Sequence, residues 1–438
     1  MSGFSLYVHI PYCQVKCPYC DFNSYAAQVW PEAEYVGALC AEMRHYAQRP
    51  PWNGGQVKTI FFGGGTPSLF APASIATILE TASALWCIAP DSEVTLEANP
   101  GTTVPGKLTA LRAAGINRMS FGVQSFVPHH LRTLGRIHSA EEARIAVRSA
   151  LDAGFVSVSV DLIFALPNQT LGEWESDLAH ACALDVPHIS AYNLTYEDGT
   201  PFHHWRAQGK LRQLPEETEV AMFTRTQALL GEAGYHQYEI SNYARPGSVC
   251  RHNLNYWQGG DYLGIGAGAH SYRGPVTAGV AHAGRVDSRQ STVDSLNEHP
   301  ISKGDLSAVD CELSTVDCEL SSVDYELSTV DCLWGDRWSN EKNPGRYLQA
   351  VGARGHARAA SERLDAQQAR GEFVFLGLRC RDGVAAAAFR RRFGAELDAV
   401  FPHVRDLVAG GVLRSSGGQW QLTRRGVLLA DSVFATFL

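Results

Sequence analysis

Three cysteines near the start of the chain have the spacing of metal ligands. Cys13, Cys17 and Cys20 form a C-x3-C-x2-C pattern, which brings three thiolates together without a fourth. Thiolates select zinc, copper(I) or iron–sulfur clusters, but structural zinc sites use four protein ligands and all-cysteine clusters use a fourth thiolate. Three ligands on a four-iron cluster leave one iron open. The pattern therefore predicts a cluster to which a further molecule binds.

A second set of polar residues lies where apolar runs of the sequence end. The turn GGGTP at residues 63–67 lets backbone groups approach a ligand closely, because glycine lacks a side chain. Glu97 and Gln124 end later runs, Arg136 follows in the segment LGRIHS, and Asp161 sits in the run VDLIFALP. A carboxylate accepts hydrogen bonds from hydroxyls, and a guanidinium can bind a carboxylate through two parallel bonds. Each residue alone is also typical of an ordinary strand end, but their succession indicates a binding site.

These residues are positioned by short apolar runs that alternate with helical stretches. Strands are predicted at 4–10, 58–62, 93–97, 118–123, 156–164 and 188–194. Helices are predicted between them at 31–48, 72–86, 140–153 and 171–184. This alternation predicts a parallel sheet with right-handed crossovers, in which sites form at the C-terminal ends of the strands. Periodicity alone leaves open an open barrel or a doubly wound sheet.

The cysteine spacing after a first strand, the GGTP turn and the polar strand ends resemble the radical S-adenosylmethionine (SAM) superfamily. The resemblance implies a partial (β/α)6 barrel, with a [4Fe-4S] cluster on the three cysteines and SAM on the open iron. It implies that Gly64, Gly65 and Thr66 bind the SAM amino group. It also implies that four further residues contact SAM: Glu97, Gln124, Arg136 and Asp161. Tyr7 and Tyr19 are predicted to pack against the cofactor, with ordinary core positions as the alternative.

Two families of this superfamily are similar to the chain: the oxygen-independent coproporphyrinogen III dehydrogenases and the HemW heme chaperones. In the dehydrogenases the cluster motif continues C-x2-C-x-C, and a long N-terminal segment covers the active site. Here Phe22 stands at the position of the extra cysteine. Only twelve residues precede Cys13, so we expect the covering segment to be absent. Both features favour the chaperone family.

The run RHNLNYW matches the HNxxYW motif of the heme chaperones. The resemblance implies that His252 binds heme, because neutral imidazole is a good iron ligand, and Tyr256 and Trp257 offer flat apolar surface to a porphyrin. A histidine beside aromatic residues is also typical of a protein core. Cys250 is an alternative iron ligand. His270, in the glycine-rich segment that follows, is interpreted as structural, with heme contact as the alternative.

The chain is predicted to have four parts. They are a radical SAM partial barrel at 1–240, an extension with the heme motif at 241–274, a low-complexity insert at 275–335, and a connecting helix with a winged-helix-like α+β domain at 336–438. Within the insert, residues 306–332 repeat the pattern L-S-x-V-D-C-E, with Leu and Val at coiled-coil spacing. Its other residues are mediocre helix formers, so we interpret it as an exposed insert, with a coiled coil as the alternative.

Composition and charge restrict the partners and the compartment. The net charge of −8 gives no reason to expect nucleic acid, and the three arginines at 390–392 are interpreted as a solvated basic face. Apolar stretches have the length of strands rather than membrane spans, and the chain enters its first strand without a leader. Eleven cysteines in such a chain indicate reduced thiols. We therefore predict a cytoplasmic protein.

These observations predict a heme chaperone that transfers heme to apo-hemoproteins and carries a [4Fe-4S] cluster and SAM. The expected partners are heme, acceptors of unknown identity, an electron donor for the cluster, and a membrane-bound acceptor in transient association. The alternative is an enzyme, oxygen-independent coproporphyrinogen III dehydrogenase. A winged-helix regulator with a sensory cluster is a third class, which the charge balance does not favour.

Overall fold

We describe the fold from a computed structural model, which describes residues 3–275 and 334–438. The predicted repeat at 306–332 lies outside these residues. The first part of the chain contains β1 Gly3–Ile10, β2 Tyr12–Cys13, β3 Tyr25–Ala26, α1 Glu32–Ala47, β4 Gln56–Gly64, α2 Pro72–Leu85, β5 Cys87–Ala98, α3 Pro105–Ala113, β6 Arg118–Gln124, α4 Pro128–Thr133, α5 Ala140–Asp152, β7 Ser157–Phe164, α6 Leu171–Ala183 and β8 His188–Asn193.

The six predicted strands form the parallel centre of a large sheet, in the order β1-β4-β5-β6-β7-β8. Parallel neighbours require crossover connections, which helices α1, α2, α3, α5 and α6 supply. Helices α5 and α6 each begin with a capping box, at Ser139 with Glu142 and at Thr170 with Glu173. The predicted α/β fold with a parallel sheet is confirmed. The ends of β4, β5 and β6 bring Gly64, Glu97 and Gln124 to one edge of the sheet.

The middle of the chain extends this sheet on both sides. Its elements are α7 Pro201–Ala207, α8 Glu216–Glu232, β9 His236–Gln237, β10 Asn242–Ala244, α9 Arg251–Trp257, β11 Tyr262–Ile265, β12 His270–Arg273, β13 Asp336–Asn340, α10 Pro344–Arg354 and β14 Arg358–Arg363. Strand β11 pairs parallel with β1, and β12, β13 and β14 follow it antiparallel. Strands β10 and β9 lie beyond β8. The twelve-stranded sheet is open among the described residues.

The C-terminal region is a small α+β domain with its own apolar core. It contains α11 Ala366–Arg379, β15 Val384–Ala385, α12 Ala386–Phe393, α13 Leu397–Val400, α14 Val404–Ala409, β16 Leu413–Ser416, β17 Gln419–Leu422, α15 Arg424–Leu428 and α16 Ala430–Ala435. Helix α12 begins only at Ala386, because Val384 and Ala385 pair with β17. In the described part of the chain, every helix is too short or too polar to cross a membrane.

Candidate functional site

The three cysteines lie on a loop between β1 and α1 that backbone hydrogen bonds hold closed. Ala27 donates its N–H to the carbonyl of Cys13 at 2.9 Å, and Cys20 donates to the carbonyl of Cys17 at 3.1 Å. The ammonium of Lys16 donates to the carbonyls of Phe22 and Ser24, at 3.1 and 3.0 Å. All three cysteines are free and partly buried. The loop thus presents its thiols as one group.

Each of the three thiols has a polar neighbour at its sulfur. The Thr66 hydroxyl donates to Cys13 Sγ at 3.4 Å, and Arg136 Nη1 donates to Cys17 Sγ at the same distance. The Ser24 hydroxyl lies 3.9 Å from Cys20 Sγ. Burial raises the pKa of the Cys13 and Cys20 thiols, whereas hydrogen-bond donors favour the thiolate. Three thiols supported by donors fit an iron–sulfur cluster, whose ligands are thiolates.

The glycine-rich turn at the end of β4 packs against the segment that carries Cys13, Cys17 and Cys20, which we call the cluster loop. Gly65 donates its N–H to the carbonyl of Ile10 at 2.8 Å, and a Cβ at this position would lie 2.7 Å from the carbonyl oxygen of Tyr12. Gly64 has a φ of +111°, and a Cβ there would lie 2.5 Å from the His9 ring. Side chains are therefore excluded at both positions. The close approach is what allows backbone groups of this turn to reach a ligand beside the cysteines.

Two carboxylates lie on neighbouring parts of the same strand edge. Glu97 accepts from the N–H of Gly64 at 3.2 Å. Burial, and then the charge of Asp161, raise the pKa of Glu97 to about 8. Asp161 accepts from the hydroxyls of Ser190 at 2.7 Å and Ser120 at 3.0 Å, while burial raises its pKa. The two acids are close enough to influence each other, and only one of them contacts the glycine turn.

Arg136 connects the end of β6 to the cluster loop. Its Nη2 donates to the carbonyl of Gly122 at 2.6 Å, while Nη1 contacts Cys17. Gln124, the last residue of β6, has a φ of +72°, in the left-handed region. Tyr19 packs edge-on against Phe202, with ring centroids 6.1 Å apart. The structure therefore places Arg136 beside Cys17, one of the three predicted cluster ligands.

Helix α9 carries the HNLNYW motif, and a buried histidine lies at its start. His252 is fully buried, and its ring stacks on Phe61 with centroids 5.0 Å apart. Nδ1 lies 2.8 Å from the Thr59 hydroxyl, and Nε2 lies 2.8 Å from the Tyr256 hydroxyl. Because Thr59 gives its own proton to Ser5, Nδ1 donates to Thr59 and Nε2 accepts from Tyr256. Burial lowers the pKa of His252 to about 3, so the ring is neutral.

Ligation of iron by His252 would require a change in the hydrogen bonds of its ring. Both ring nitrogens are hydrogen-bonded in this structure, and Nε2 is the nitrogen that carries the lone pair. Iron could bind it only after the Tyr256 hydroxyl has moved away. Cys250, the alternative ligand, is also buried, with its Sγ 3.6 Å from Glu93 Oε1. Burial raises the pKa of the Cys250 thiol to about 12, which disfavours the thiolate.

A cavity of about 850 Å³ opens between the cluster loop, helix α9, the sheet edge and the C-terminal domain. Residues predicted for SAM line one part of it: Tyr7, Gly64 and Glu97. The heme motif contributes Tyr256 and Trp257, and α11 contributes Phe373 and Phe375. The other predicted SAM residues lie outside its lining, as do the three cysteines: Gly65, Thr66, Tyr19, Gln124, Arg136, Asp161, Cys13, Cys17 and Cys20. One cavity thus joins the glycine turn to an aromatic wall.

Charged groups tie the C-terminal domain to the sheet beside this cavity. Arg337 of β13 forms ion pairs with Glu372 of α11 at 2.5 Å and with Glu362 at 2.7 Å. Arg392 donates to the Tyr272 hydroxyl at 2.9 Å. These contacts hold α11 and α12 against β12 and β13, so the aromatic wall has a defined position.

Comparison with known proteins agrees with this geometry. A family model described as "Radical SAM superfamily" matches residues 7–181, and one described as "HemN C-terminal domain" matches residues 364–429. The "Heme chaperone HemW" of Escherichia coli is 36% identical, covering 100% of this chain and 99% of the relative. That of Bacillus subtilis is 32% identical, covering 99% of each. The chain belongs to the HemW family.

Membership in the HemW family confirms the family predicted from the cysteine spacing and the HNxxYW motif. The solved structure of coproporphyrinogen III oxidase (HemN) from Escherichia coli, described as a radical SAM enzyme, shares the fold. It is 22% identical, with a TM-score of 0.74, covering 100% of this chain and 90% of that chain. The superfamily implies a [4Fe-4S] cluster and SAM.

Two residues that position the site were not singled out from the sequence. His9 accepts at Nδ1 from the Tyr7 hydroxyl at 3.0 Å and donates from Nε2 to the carbonyl of Asn23 at 2.8 Å. Glu93 accepts from the N–H groups of Arg251 and His252, at 3.1 and 3.0 Å, at the start of α9. Their sequence signal is weak: His9 lies two residues after Tyr7, and Glu93 four before Glu97, on the same strand faces.

Proposed function

We propose that this protein is a heme chaperone, which binds heme and passes it to apo-hemoproteins while carrying a [4Fe-4S] cluster and SAM. The observation that carries the proposal is the cavity of about 850 Å³ with Tyr256 and Trp257 of the HNLNYW motif on its wall. Its size lies within the usual range of ligand pockets, about 300–1,000 Å³. The full-length relatives named as heme chaperones support the same function.

In this proposal the chain's own residues hold the two cofactors next to the part of the cavity that Tyr7, Gly64 and Glu97 line. Cys13, Cys17 and Cys20 hold the cluster, which supplies an electron for the cleavage of SAM when it is reduced. Gly64, Gly65 and Thr66 bind the SAM amino group. The remaining SAM contacts are assigned to Tyr7, Tyr19, Glu97, Gln124, Arg136 and Asp161. Arg136 adds a fixed positive charge beside Cys17, which favours the thiolate.

Heme is assigned to the aromatic part of the cavity. Tyr256 and Trp257 present flat apolar rings, which suit a porphyrin face, and Phe373 and Phe375 lie on the lining contributed by the C-terminal domain. His252 fixes the Tyr256 side chain of this wall through the hydrogen bond that its Nε2 accepts from the Tyr256 hydroxyl. It becomes an iron ligand in the proposal only if heme displaces the Tyr256 hydroxyl.

The second candidate function is the oxidative decarboxylation of coproporphyrinogen III. One observation favours it: Gly64, Glu97 and the aromatic wall line one cavity, so SAM bound at the glycine turn would face the same cavity as a bound tetrapyrrole. Phe22, at the position of the extra cysteine of the dehydrogenases, is 63% exposed at the cavity. An apolar ring replaces a thiol at this position, which supports the chaperone.

One experiment separates the two functions. Anaerobically reconstituted protein is supplied with SAM, a reductant and either heme or coproporphyrinogen III. We expect heme to bind and to move to an added apo-hemoprotein, and we expect coproporphyrinogen III to remain unchanged. Release of carbon dioxide with formation of protoporphyrinogen would instead identify the protein as an enzyme.

The partners of the chaperone belong to the same proposal. We infer a cytoplasmic protein that receives electrons from a donor and hands heme to acceptors, one of them membrane-bound and met in transient association. Nucleic acid is not proposed as a partner. Two of the arginines at 390–392 are engaged within the protein: Arg390 with Glu396 at 3.1 Å, and Arg392 with Tyr272.

A further inference from the structure

The cavity contains few groups that can bind iron. Heme iron is held in proteins by histidine, cysteine, methionine or tyrosine. Among the described residues, the cavity lining includes no cysteine and no methionine. Two histidines and five tyrosines line it: His9, His270, Tyr7, Tyr25, Tyr256, Tyr262 and Tyr272. The axial ligand supplied from this wall therefore comes from one of these two residue types.

The tyrosines are poor candidates because iron binds the phenolate. Burial raises the pKa of Tyr7, Tyr256 and Tyr272, and it raises the pKa of Tyr262 to about 12. Tyr25 donates its hydroxyl proton to the carbonyl of Lys342 at 3.3 Å. Forming any of these phenolates would cost desolvation or a hydrogen bond.

The two histidines of the lining differ in the hydrogen bonds that their ring nitrogens make. His9 is 5% exposed, and both of its nitrogens are used, by Tyr7 and Asn23. His270, the first residue of β12, is exposed at the cavity wall. Its backbone is held by the pairing with Ser339 of β13, while its imidazole makes no hydrogen bond to any residue that the structure describes. His270 thus combines a fixed position with a free ring.

Two cationic side chains, Lys342 and Arg337, act electrostatically on the imidazole of His270. Desolvation, and then Lys342 and Arg337, lower the pKa of His270, which keeps the ring in the neutral form that ligates metals. The two cations differ in availability. Arg337 is paired with Glu362 and Glu372, whereas Lys342 has no side-chain partner within residues 3–275 and 334–438. Lys342 is therefore the cation beside His270 that can receive an anionic group.

We infer that the imidazole of His270 is an axial ligand of heme iron in this cavity and that the Lys342 ammonium binds a heme propionate. The inference rests on the proposed heme binding and adds to it the two residues that fix the orientation of the porphyrin. In this arrangement Tyr256 and Trp257 supply the apolar wall, and His252 positions that wall rather than binding iron.

The first test replaces the ligand. His270→Ala should weaken the binding of ferric heme at least ~tenfold, since loss of even a supporting residue at a metal site costs about 10–100-fold. The electron paramagnetic resonance spectrum should lose its imidazole-ligated signal, and imidazole added to the solution should restore it. His236→Ala, at an exposed histidine outside the cavity, should behave like the wild type. Cluster iron content and the unfolding midpoint verify that each variant is folded.

Each outcome of this test has a distinct meaning. Wild-type affinity and spectrum in His270→Ala would overturn the inference, and so would a defect that imidazole does not reverse. Loss of the imidazole signal in His252→Ala, with His270→Ala unchanged, would assign the ligand to the motif histidine. If the wild-type protein with its cluster binds no heme, both the proposed function and the ligand assignment fail. If the wild type binds heme and only the His270→Ala result disagrees, the ligand assignment alone is wrong.

The second test concerns the propionate. The wild-type protein should bind heme more tightly than heme dimethyl ester, which lacks both negative charges. Lys342→Ala should remove most of this preference, because a charge-assisted contact is lost. Lys210→Ala, at an exposed lysine outside the cavity, should retain it. An unchanged preference in Lys342→Ala would refute the assignment of Lys342, and an equal affinity of the wild type for both compounds would do the same.

Discussion

Nε2 of His252 accepts a hydrogen bond from the Tyr256 hydroxyl at 2.8 Å, while its Nδ1 donates to Thr59. The buried histidine of the heme motif is therefore joined to the cavity wall through a tyrosine of the same motif. This relationship joins two residues that lie four positions apart on one short helix. The histidine fixes the first ring, and the tryptophan lies beside it.

Removing this histidine should destabilise the fold more than removing the tyrosine hydroxyl. His252→Ala leaves a cavity beside Phe61, removes the acceptor of the Tyr256 hydroxyl and leaves the Thr59 hydroxyl with only its bond to Ser5, and should cost about 2–4 kcal/mol. Tyr256→Phe removes one buried hydrogen bond and should cost about 1 kcal/mol. Urea denaturation of both variants measures the difference. Heme affinity should fall in His252→Ala while the iron-ligand spectrum is retained. A changed ligand spectrum would contradict a positioning role.

The cluster should depend on the three cysteines of the loop. Replacement of Cys13, Cys17 and Cys20 by serine should abolish the broad visible absorption and the iron content after reconstitution, because hydroxyls are poor substitutes for soft thiolates. Cys87→Ser is the matched control, since Cys87 is a free and exposed cysteine far along the chain. Retention of wild-type iron in the triple variant would place the cluster elsewhere.

Arg136 should raise the reduction potential of the cluster. Its guanidinium donates to Cys17 Sγ at 3.4 Å, and a nearby positive charge stabilises the reduced state, which carries one more electron. Arg136→Gln should therefore shift the potential to more negative values, and Arg136→Lys, which keeps the charge, should shift it less. A redox titration followed by electron paramagnetic resonance gives the values. Equal shifts in both variants would show that charge is not the cause.

SAM affinity should increase as the pH rises through the pKa of Glu97. Burial and Asp161 raise this pKa to about 8 in the free protein, so the carboxyl is mostly protonated at neutral pH. The cationic sulfonium and the ribose hydroxyls of SAM favour the carboxylate, so binding should strengthen up to about pH 8 and then level off. Equilibrium dialysis with labelled SAM measures the profile. Glu97→Gln should bind more weakly and without this slope; an identical slope would exclude Glu97.

Deletion of residues 306–332 should leave the protein folded. These residues belong to the connection between β12 and β13, two neighbouring antiparallel strands, where Arg273 and Asp336 form a buried ion pair at 2.6 Å. The strand ends on either side of this connection are therefore already adjacent, and a shorter connection changes the entropy of loop closure only slightly. Cluster content, SAM affinity and the unfolding midpoint should stay close to wild type. Loss of soluble protein would refute the interpretation as an exposed insert.

The sequence by itself determined the features that depend on local spacing. The three cysteines fall within one short segment, so the predicted ligand set follows from the spacing C-x3-C-x2-C alone. The strands and helices follow from the periodicity of apolar residues, and the helix starts at Ser139 and Thr170 follow from capping residues three positions apart. Such signals act over a few residues and do not require the rest of the fold.

The tertiary structure decided which distant groups meet. The hydroxyl that binds His252 belongs to Thr59, 193 residues earlier in the chain, and the cavity joins Tyr7 of the first strand to Phe373 of the C-terminal domain. Whether the nitrogens of a histidine ring are hydrogen-bonded depends on these neighbours, which are distant in the sequence. For this reason the motif alone indicated His252 as the heme ligand, whereas the packing leaves His270 as the histidine with a free ring at the cavity.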